Sequence, residues 1–324
     1  MTVPVKEIID QAIEQQTFGE QPAELYEPIR YIMALGGKRL RPTLTLLAYQ
    51  LFHEESIPPS VLHPALAVEV FHNFSLMHDD IMDQAPLRRG KPTVHERWNS
   101  NVAILSGDVM LVKAYELLLY TEAEKLPGVL VAFNRCATEV CEGQQWDMNF
   151  ETLSEVSEEA YLRMIRQKTA VLLGFSLQLG GLLADADQPT VQALYELGVN
   201  IGIGFQLKDD LLDVYADQAK FGKQPGGDII VNKKTFLLIK ALEKAEGESH
   251  VRLVDWLSRP SFDKEEKVRE VTALYDQLNI RSMTERAMGE YFQQGLSQLT
   301  HINVEESRKQ PLRTFIEHLI HREK

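Results

Sequence analysis

Apolar residues recur three and four positions apart through nearly the whole chain, a spacing that few folds can accommodate. An α-helix brings residues at these spacings onto one face, so the pattern predicts a succession of amphipathic helices. No stretch alternates apolar and polar residues between turn signals, as the half-buried strands of a sheet do. We therefore predict an all-α protein, a large helical bundle.

Proline and glycine indicate where the predicted helices start and stop. An amphipathic first helix includes Val5 to Ile13, Pro22 and Pro28 bracket the start of a second, and a third starts near Pro42. Further helices are predicted around residues 61–82, 100–121, 127–148, 158–184, 189–214, 233–246, 250–258, 264–278, 280–299 and 307–322, with loops at 84–93 and 215–232. Because no composition shift or fixed-period repeat occurs, residues 1–324 are predicted to form a single domain.

The charge of the chain restricts its partners. Its 324 residues include 34 lysines and arginines and 47 aspartates and glutamates, a formal net charge of −13. This excess argues against nucleic acid or an anionic membrane as the main partner. Two cysteines, Cys136 and Cys141, are too few for a disulfide framework and favour a reducing compartment. Residues 1–16 have no apolar signal core and no uncharged apolar run reaches about 18 residues, so we expect a cytoplasmic protein without a transmembrane segment.

Two acidic motifs of the same pattern lie among the apolar helical residues. Asp79 and Asp83 lie four residues apart on one helical face, with Asp80 on the flank. The pattern recurs far downstream in Asp209, Asp210 and Asp213. Carboxylates crowded within one helical turn repel one another unless a cation holds them. Since hard oxygen ligands without nearby cysteines suit Mg²⁺ better than zinc, we predict that these aspartates bind Mg²⁺.

Basic residues on either side of the first acidic motif suit an anion. Residues 36–42 read Gly-Gly-Lys-Arg-Leu-Arg-Pro and place three cations at a helix start, where the helix dipole and free N–H groups favour phosphate. The spacing of a Walker loop is missing. Arg88 and Arg89, just after the acidic motif, would suit a metal-bridged phosphate. Alternatively, residues 36–42 are a solvated basic turn and the two arginines only neutralise the aspartates.

Other metal chemistries use some of the same residue types. Glu69 and His72 form an E-x-x-H pair, which also occurs in di-iron bundles, but no other glutamate has a histidine three residues later. A di-iron site is therefore excluded. His78-Asp79 resembles the metal-binding pair of phosphohydrolases, an alternative that leaves the second acidic motif unexplained. His72 itself either contacts a phosphate or is a hydrogen-bonded core histidine.

In their order along the chain, the motifs resemble those of the trans-isoprenyl diphosphate synthases, or polyprenyl synthetases. The resemblance runs from about residue 30 to about residue 240 and includes GGKRLRP at 36–42, DDIMD followed by RRG at 79–90, GQQWD at 143–147, KT at 168–169 and FQLKDDLLD at 205–213. It implies an all-α fold with a deep central cavity, usually in a homodimer. It also implies chain elongation, in which an allylic diphosphate (dimethylallyl, geranyl or farnesyl) loses pyrophosphate and isopentenyl diphosphate attacks the resulting cation.

The resemblance also implies roles for single residues. The aspartates of both motifs would hold Mg²⁺ ions that bridge the allylic diphosphate and stabilise the departing charge. The remaining implied contacts are Arg88, Lys168 and Lys223 with the allylic diphosphate, Lys38, Arg41, His72 and Arg89 with isopentenyl diphosphate, and Thr169 and Gln206 at the site where the cation forms.

The chain departs from the family pattern near its last motif lysine. Many members read G-K-x-T-x-P, whereas residues 232–237 read Asn-Lys-Lys-Thr-Phe-Leu. Lys233 falls in register with the diphosphate-binding lysine, but the flanking glycine and proline are absent. Only its register therefore assigns Lys233 to the substrate.

The residues one helical turn before Asp79 are expected to set the product length, because the growing chain would run along this helix away from the metals. Ser75 lies on the same face as Asp79 and is small, Phe74 lies on the flank, and Phe71 lies a further turn away. A single aromatic at the fifth position before the motif resembles geranylgeranyl synthases, whereas bulky residues at the fourth and fifth positions resemble farnesyl synthases. We predict geranylgeranyl diphosphate, with farnesyl diphosphate as the alternative.

Three other classes of protein share part of this pattern. Terpene cyclases have the first acidic motif, but their second metal motif normally has wider spacing and includes glutamate. A non-catalytic partner subunit should have lost its aspartates, and this chain keeps all six. A plain metal-binding bundle does not explain residues 36–42. The synthase is therefore the favoured interpretation.

Overall fold

The structure is a computed structural model that describes residues 5–54, 56–216 and 226–321. Within these ranges the chain is a succession of α-helices, which confirms the all-α prediction. The helices are α1 (Val5–Gln15), α2 (Ala23–Ala34), α3 (Leu40–Gln50), α4 (Pro59–Met82), α5 (Val94–Arg97), α6 (Ser100–Leu118), α7 (Leu126–Thr152), α8 (Glu158–Ile165), α9 (Val171–Leu183), α10 (Gln188–Tyr215), α11 (Gly227–Ile230), α12 (Phe236–Lys244), α13 (Gly247–Ser258), α14 (Lys264–Gln277), α15 (Ile280–Ser297) and α16 (Glu306–His321). No helix in the described ranges is both long and apolar enough to cross a membrane.

Three local features differ from the sequence prediction. The predicted loop at 84–93 contains a small antiparallel hairpin, β1 (Leu87–Arg88) and β2 (Lys91–Pro92). Its two-residue turn has positive φ at both positions, 52° at Arg89 and 74° at Gly90, as a type I′ turn requires. The described end of the second predicted loop forms the short helix α11. The predicted helix 158–184 is interrupted by a π-helical turn, Arg166–Ala170.

Contacts along the backbone group the chain into two compact units. The first comprises Met1–Cys136, Leu172–Tyr195 and His301–Leu312, and the second comprises Ala137–Val171, Glu196–Thr300 and Arg313–Lys324. The single-domain organisation of residues 1–324 stays a prediction.

The core of the first unit surrounds α4, which packs most extensively against α6. Pro58 and Pro59 start this helix, since proline lacks the N–H that the first turn leaves unpaired. Phe71 on α4 meets Phe133 edge-on at a centroid distance of 5.2 Å, and Phe133 lies 5.7 Å from Phe175. All three rings are fully buried. The packing fixes the helix that carries the first acidic motif.

The second unit has its own core, formed where α12, α13 and α14 meet the end of α10. Leu237, Leu253 and Leu274 are fully buried there, together with Trp256 and Tyr275. Burying a leucine side chain contributes about 1.5–3 kcal/mol. This core supports the turn that follows α11 and the end of the helix with the second acidic motif.

Candidate active site

The first acidic motif ends α4 with carboxylates of unequal exposure. Asp83, the C-cap residue, is exposed, Asp79 is half-buried and Asp80 is 3% exposed. Both oxygens of Asp80 accept hydrogen bonds from Arg88, at 2.7 Å from Nε and 2.7 Å from Nη2. A bidentate guanidinium–carboxylate pair is a strong, oriented contact. The neutralising ion pair considered as an alternative is therefore present for Arg88.

The hairpin turn sends its two adjacent arginines to different places. Arg88 is the last residue of β1 and contacts Asp80, whereas Arg89 has a left-handed backbone conformation. The Arg89 guanidinium lies against Gly37, where an added Cβ would come within 3.1 Å of its Nη1 and Nη2 atoms. A side chain at position 37 would therefore crowd the guanidinium. Arg89 joins the basic segment 36–42 instead of the aspartates.

The three cations of that basic segment have different surroundings. Arg39, the N-cap of α3, is buried and donates from Nη1 to Glu69 Oε1 at 2.7 Å and from Nη2 to the Met33 carbonyl oxygen at 2.9 Å. Its Nε lies 3.3 Å from Asp10 Oδ1. The guanidinium of Arg39 therefore makes its hydrogen bonds within the protein. Its neighbour Lys38 is exposed, and Arg41 is half-buried.

Arg41, His72 and Arg89 form a compact cationic cluster. Arg41 Nε is buried and has no hydrogen-bond partner among the described residues. Burial lowers the pKa of Arg41 to about 10, although the negative charge of Glu69 raises it. Burial, reinforced by Arg41 and Arg89, holds the pKa of His72 well below its ordinary value. His72 is therefore neutral at pH 7, and the arginines beside it are suited to an anion with several oxygens.

The second acidic motif lies on the last turns of α10, in the second unit. Asp210 is buried and accepts hydrogen bonds from the Tyr161 hydroxyl and, at 3.1 Å, from Gln206 Nε2. Burial raises the pKa of Asp210 to about 7, although the Tyr161 hydrogen bond opposes the rise. Asp209 is exposed on one side but has many protein atoms around it. The resulting desolvation raises its pKa to about 6, although the positive charges of Lys208 and Lys233 lower it. A bound cation would offset both penalties.

Asp213, the last carboxylate of this motif, holds the chain that follows α10. Its Oδ2 accepts a hydrogen bond from the Asp228 N–H at 2.9 Å, and its carbonyl oxygen accepts one from the Gly226 N–H at 2.6 Å. Burial raises the pKa of Asp228, and the carboxylates of Asp213 and Asp147 add to the rise. Asp228, which no motif had indicated, therefore belongs to the same acidic group.

A small cavity in the second unit brings together residues from several of the predicted motifs. Lys168 donates to Asp147 Oδ2 at 2.6 Å, and Thr169 donates to Gln206 Oε1 at 3.2 Å. These four residues, with Asp210, Tyr161 and Lys233, line a cavity of about 70 Å³. The predicted contacts of Lys168, Thr169, Gln206 and Lys233 with one substrate thus involve neighbouring side chains. Lys223, predicted to bind the same diphosphate, lies outside the described residues.

The π-helical turn explains how Lys168 and Thr169 reach this cavity. Such turns insert one residue into an α-helix and are frequent at functional sites. Gly143 on α7 makes room for the turn, since an added Cβ would lie 2.2 Å from the Lys168 backbone nitrogen. Asp147, one turn after Gly143, then faces Lys168. In the GQQWD segment, Gly143 therefore allows the close approach of the π-helical turn, and Asp147 pairs with the Lys168 side chain.

The residues of α4 predicted to set product length differ in burial. Ser75 and Phe74 are half-buried, and the Ser75 hydroxyl donates to the His72 carbonyl oxygen at 2.8 Å. Phe71 is fully buried, 5.5 Å from Phe74 between ring centroids. Phe74 in turn meets His78 edge-on at 4.8 Å. Substitutions at Ser75 and Phe74 can therefore change the accessible surface, whereas Phe71 belongs to the core.

The donor set fits Mg²⁺. In the described part of the chain no three carboxylate, histidine or cysteine side chains form a complete metal cluster by themselves. Mg²⁺ does not need one, because it usually binds one or two carboxylates and completes its shell with water and substrate phosphates. The desolvated carboxylates of Asp209 and Asp210 are hard oxygen ligands that a cation would stabilise in the charged form.

Comparison with known proteins identifies the family of the chain. The profile of the family described as polyprenyl synthetase matches residues 22–275. The chain is 37% identical to the geranylgeranyl pyrophosphate synthase of Geoglobus acetivorans, over 93% of this chain and 92% of that one. It is 43% identical to the geranylgeranyl diphosphate synthase of Methanosarcina mazei, over 73% of each chain.

The fold extends the likeness beyond the sequence. A crystal structure of a geranylgeranyl pyrophosphate synthase matches with a TM-score of 0.93 and 39% identity, covering 100% of both chains. The crystal structure of the geranylgeranyl pyrophosphate synthetase from Pyrococcus horikoshii Ot3 matches with a TM-score of 0.90 and 34% identity, over 98% of this chain and 96% of that one. The acidic and basic groups described above thus lie in a chain that belongs to the polyprenyl synthetase family.

Proposed function

We propose that this protein is a magnesium-dependent prenyltransferase. It condenses isopentenyl diphosphate with an allylic diphosphate into an all-trans prenyl diphosphate, with geranylgeranyl diphosphate as the product and farnesyl diphosphate as the alternative. The relatives named geranylgeranyl diphosphate synthase support the activity and the product. The half-buried Ser75 and Phe74, a small residue beside an aromatic, agree with the longer product.

The cationic cluster around Arg41 is the observation that carries this proposal. A cyclase or a phosphohydrolase acts on one diphosphate, which the acidic motifs would handle. A synthase must also bind a second diphosphate that keeps its charge. Arg41 has a buried Nε with no hydrogen-bond partner in the described part of the chain, and Arg89 lies beside it, so both can meet that second anion. Lys38 and the neutral His72 would complete the isopentenyl diphosphate site.

The chain's own residues would bind and orient the allylic substrate. Mg²⁺, when held by Asp79, Asp80, Asp83, Asp209, Asp210 and Asp213, would supply electrostatic stabilisation of the departing pyrophosphate. Lys168 and Lys233 contribute positive charge to the cavity that Asp210 lines. Thr169 and Gln206 hold each other by a hydrogen bond and direct oxygen atoms to the same space, where they would stabilise the allylic cation. Arg88 and Lys223 would contact the same diphosphate.

We also propose that two copies of the chain form a dimer through α6. Leu105, Val112 and the C-cap residue Leu119 recur every seven residues on one stripe of this helix and are 58%, 55% and 61% exposed, with Ile104, 42% exposed, to one side of the stripe. Exposed apolar side chains in a row, with polar residues such as Asp108 and Glu116 beside them, are typical of an interface. The stripe belongs to the helix that packs against α4, so a partner there would also stiffen the first acidic motif. Cys136 and Cys141 form no disulfide in the described part of the chain, in keeping with a cytoplasmic enzyme.

The proposed function is tested with Mg²⁺, isopentenyl diphosphate and dimethylallyl, geranyl or farnesyl diphosphate. We expect pyrophosphate release only when both substrates are present, a C20 product by mass spectrometry, and no turnover after EDTA treatment. Release from the allylic substrate alone would contradict the synthase and indicate a cyclase or hydrolase. A C15 product would agree with a synthase but would show that its product is farnesyl diphosphate.

A further inference from the structure

The turn that carries Lys233 has an unusual residue just before the lysine. Asn232 adopts a left-handed backbone conformation, with φ of 54°. Glycine accepts this conformation without strain, and asparagine is one of the few other residues that does so routinely. The backbone therefore turns here as a glycine would allow. Asparagine also adds a side chain with a donor and an acceptor, which glycine lacks.

Both ends of the Asn232 side chain have partners. Its Nδ2 donates to the Leu257 carbonyl oxygen at 3.0 Å, at the end of α13. Its Oδ1 accepts a hydrogen bond from Lys267 Nζ at 2.6 Å, on α14. The amide thus ties the turn to two different helices. A glycine at this position would give the same backbone without either contact.

Lys267 is an unusual partner because its side chain is fully buried. Its ammonium donates to the Ile230 carbonyl oxygen at 3.2 Å as well as to Asn232, and it lies 4.1 Å from the centroid of the Phe262 ring. Within the described ranges no carboxylate forms an ion pair with it. A lone buried ammonium is costly unless its hydrogen bonds are satisfied. These two hydrogen bonds therefore satisfy the ammonium and hold the turn against α14.

The turn at Asn232 is followed directly by Lys233, which also contacts Asp228 of the acidic group. Lys233 donates its backbone N–H to the Asp228 carbonyl oxygen at 2.9 Å, and its Nζ lies 3.8 Å from Asp228 Oδ1. Asp228 is anchored to Asp213 of the second acidic motif. Asn232, adjacent to Lys233, receives the support from α13 and α14. Movement at Asn232 would shift Lys233 relative to the cavity it lines.

We propose that Lys267 and Asn232 are positioning residues for diphosphate binding by Lys233. Neither contacts the substrate; the buried ammonium fixes the left-handed turn, and the turn places the Lys233 ammonium at the cavity with Lys168 and Asp210. This inference rests on the proposed function, since it assigns Lys233 to the allylic diphosphate. A brace that served folding alone would affect stability without changing the affinity for one substrate.

The experiment compares Michaelis constants for the two substrates in four variants. Lys267→Met removes the ammonium, Asn232→Gly keeps the backbone conformation but removes the amide, and Asn232→Asp keeps an acceptor for Lys267. Lys264→Met removes an exposed lysine one turn earlier on the same helix and is the matched control. We expect Lys267→Met and Asn232→Gly to raise the KM for the allylic diphosphate about tenfold, with KM for isopentenyl diphosphate unchanged. Asn232→Asp keeps the acceptor for Lys267 but loses the donor to Leu257, so it should raise the allylic KM less than Asn232→Gly does, and Lys264→Met should resemble the wild type.

A double variant tests whether the two residues act through their contact. Lys267→Met with Asn232→Gly should raise the allylic KM no further than the worse single variant does. Melting temperatures show which variants are folded; if Lys267→Met does not fold, the two Asn232 variants decide. Equal changes in both Michaelis constants, or a lower melting temperature with both constants unchanged, would overturn the inference. If Lys233→Met leaves the allylic KM unchanged in an active enzyme, the assignment of Lys233 and this inference fail together, whereas an inactive wild type would refute the proposed function itself.

Discussion

Arg39 has two carboxylate partners that differ in burial, and this difference predicts very different effects of removing each. The side chains of Arg39 and Glu69 are each 4% exposed, whereas Asp10 is 36% exposed. Removing one member of a buried pair leaves an uncompensated charge and costs about 3–5 kcal/mol. We expect Glu69→Gln to lower the free energy of unfolding by about 3 kcal/mol, near the lower limit because the amide keeps an acceptor. Urea denaturation measures the change.

Asp10→Asn is the matched control because it alters the same arginine from its exposed side. An exposed ion pair contributes about 0–1 kcal/mol, so this variant should remain close to the wild type. Equal effects of the two substitutions would mean that Arg39 is not held mainly by Glu69.

Product length provides a second test at the level of single side chains. Ser75→Phe adds a ring on the face of α4 that carries Asp79, so the product should shorten towards C15. Phe74→Ala removes a half-buried ring next to Ser75, so the product should lengthen beyond C20. Mass analysis of products from each allylic primer measures both changes. An unaltered product distribution in both variants would show that these residues do not line the path of the chain.

At this scale the sequence predicted residue types better than partners. The cations of residues 36–42 and their preference for an anion follow from charge and helix-start geometry. The burial of Arg39 could not be predicted in this way. Its partner Glu69 lies 30 residues away in the sequence, and only the packing of α4 beside α3 brings the two together. Tyr161 and Asp228 were missed for a similar reason. Each contacts an acidic residue from a segment without a motif of its own.

The close approach of α7 to the π-helical turn provides a prediction at the level of elements. In Gly143→Ala the new methyl would lie 2.2 Å from the Lys168 backbone nitrogen, so the two elements must separate. Overpacking of this kind costs about 1–3 kcal/mol. The shift would also weaken the contact of Lys168 with Asp147, so we expect turnover to fall at least about tenfold. Steady-state kinetics and thermal melting measure the two effects.

Gly289 supplies the control, since it lies within α15 and an added Cβ would meet nothing within 4 Å. Alanine is favoured over glycine at such helix positions by about 0.8–1 kcal/mol, so Gly289→Ala should be slightly stabilising and fully active. Similar losses in both variants would refute the explanation by close packing.

Elements were predicted from periodicity, and the exceptions have local causes. The π-helical turn keeps the apolar spacing nearly intact, so the predicted helix 158–184 contains it without a visible break. The hairpin at 87–92 uses arginine where type I′ turns usually have asparagine or aspartate, and its two-residue strands are too short to alternate. Short elements defined by backbone hydrogen bonds are the least visible in a hydrophobic pattern.

At the scale of the whole molecule, the apolar stripe on α6 predicts an assembly. Leu105→Asp with Val112→Asp places two charges at the centre of the proposed interface, which should convert the dimer into monomers in sedimentation experiments. Val251→Asp is the control because this valine is 66% exposed but lies on α13 in the second unit. A wild type that sediments as a monomer, or a dimer that persists in the double variant, would contradict the proposed interface.

The two-residue turn at Arg89 and Gly90 has a consequence for how this segment can vary. Surface loops ordinarily tolerate inserted residues, but one extra residue in this turn would rotate the following side chain to the opposite face of the hairpin. Arg89, proposed to bind isopentenyl diphosphate, would then point away from Gly37 while Arg88 stayed on Asp80. The number of residues in the turn thus sets the directions of two adjacent arginine side chains. We therefore expect natural sequences to substitute residues in this turn far more readily than to insert or delete them.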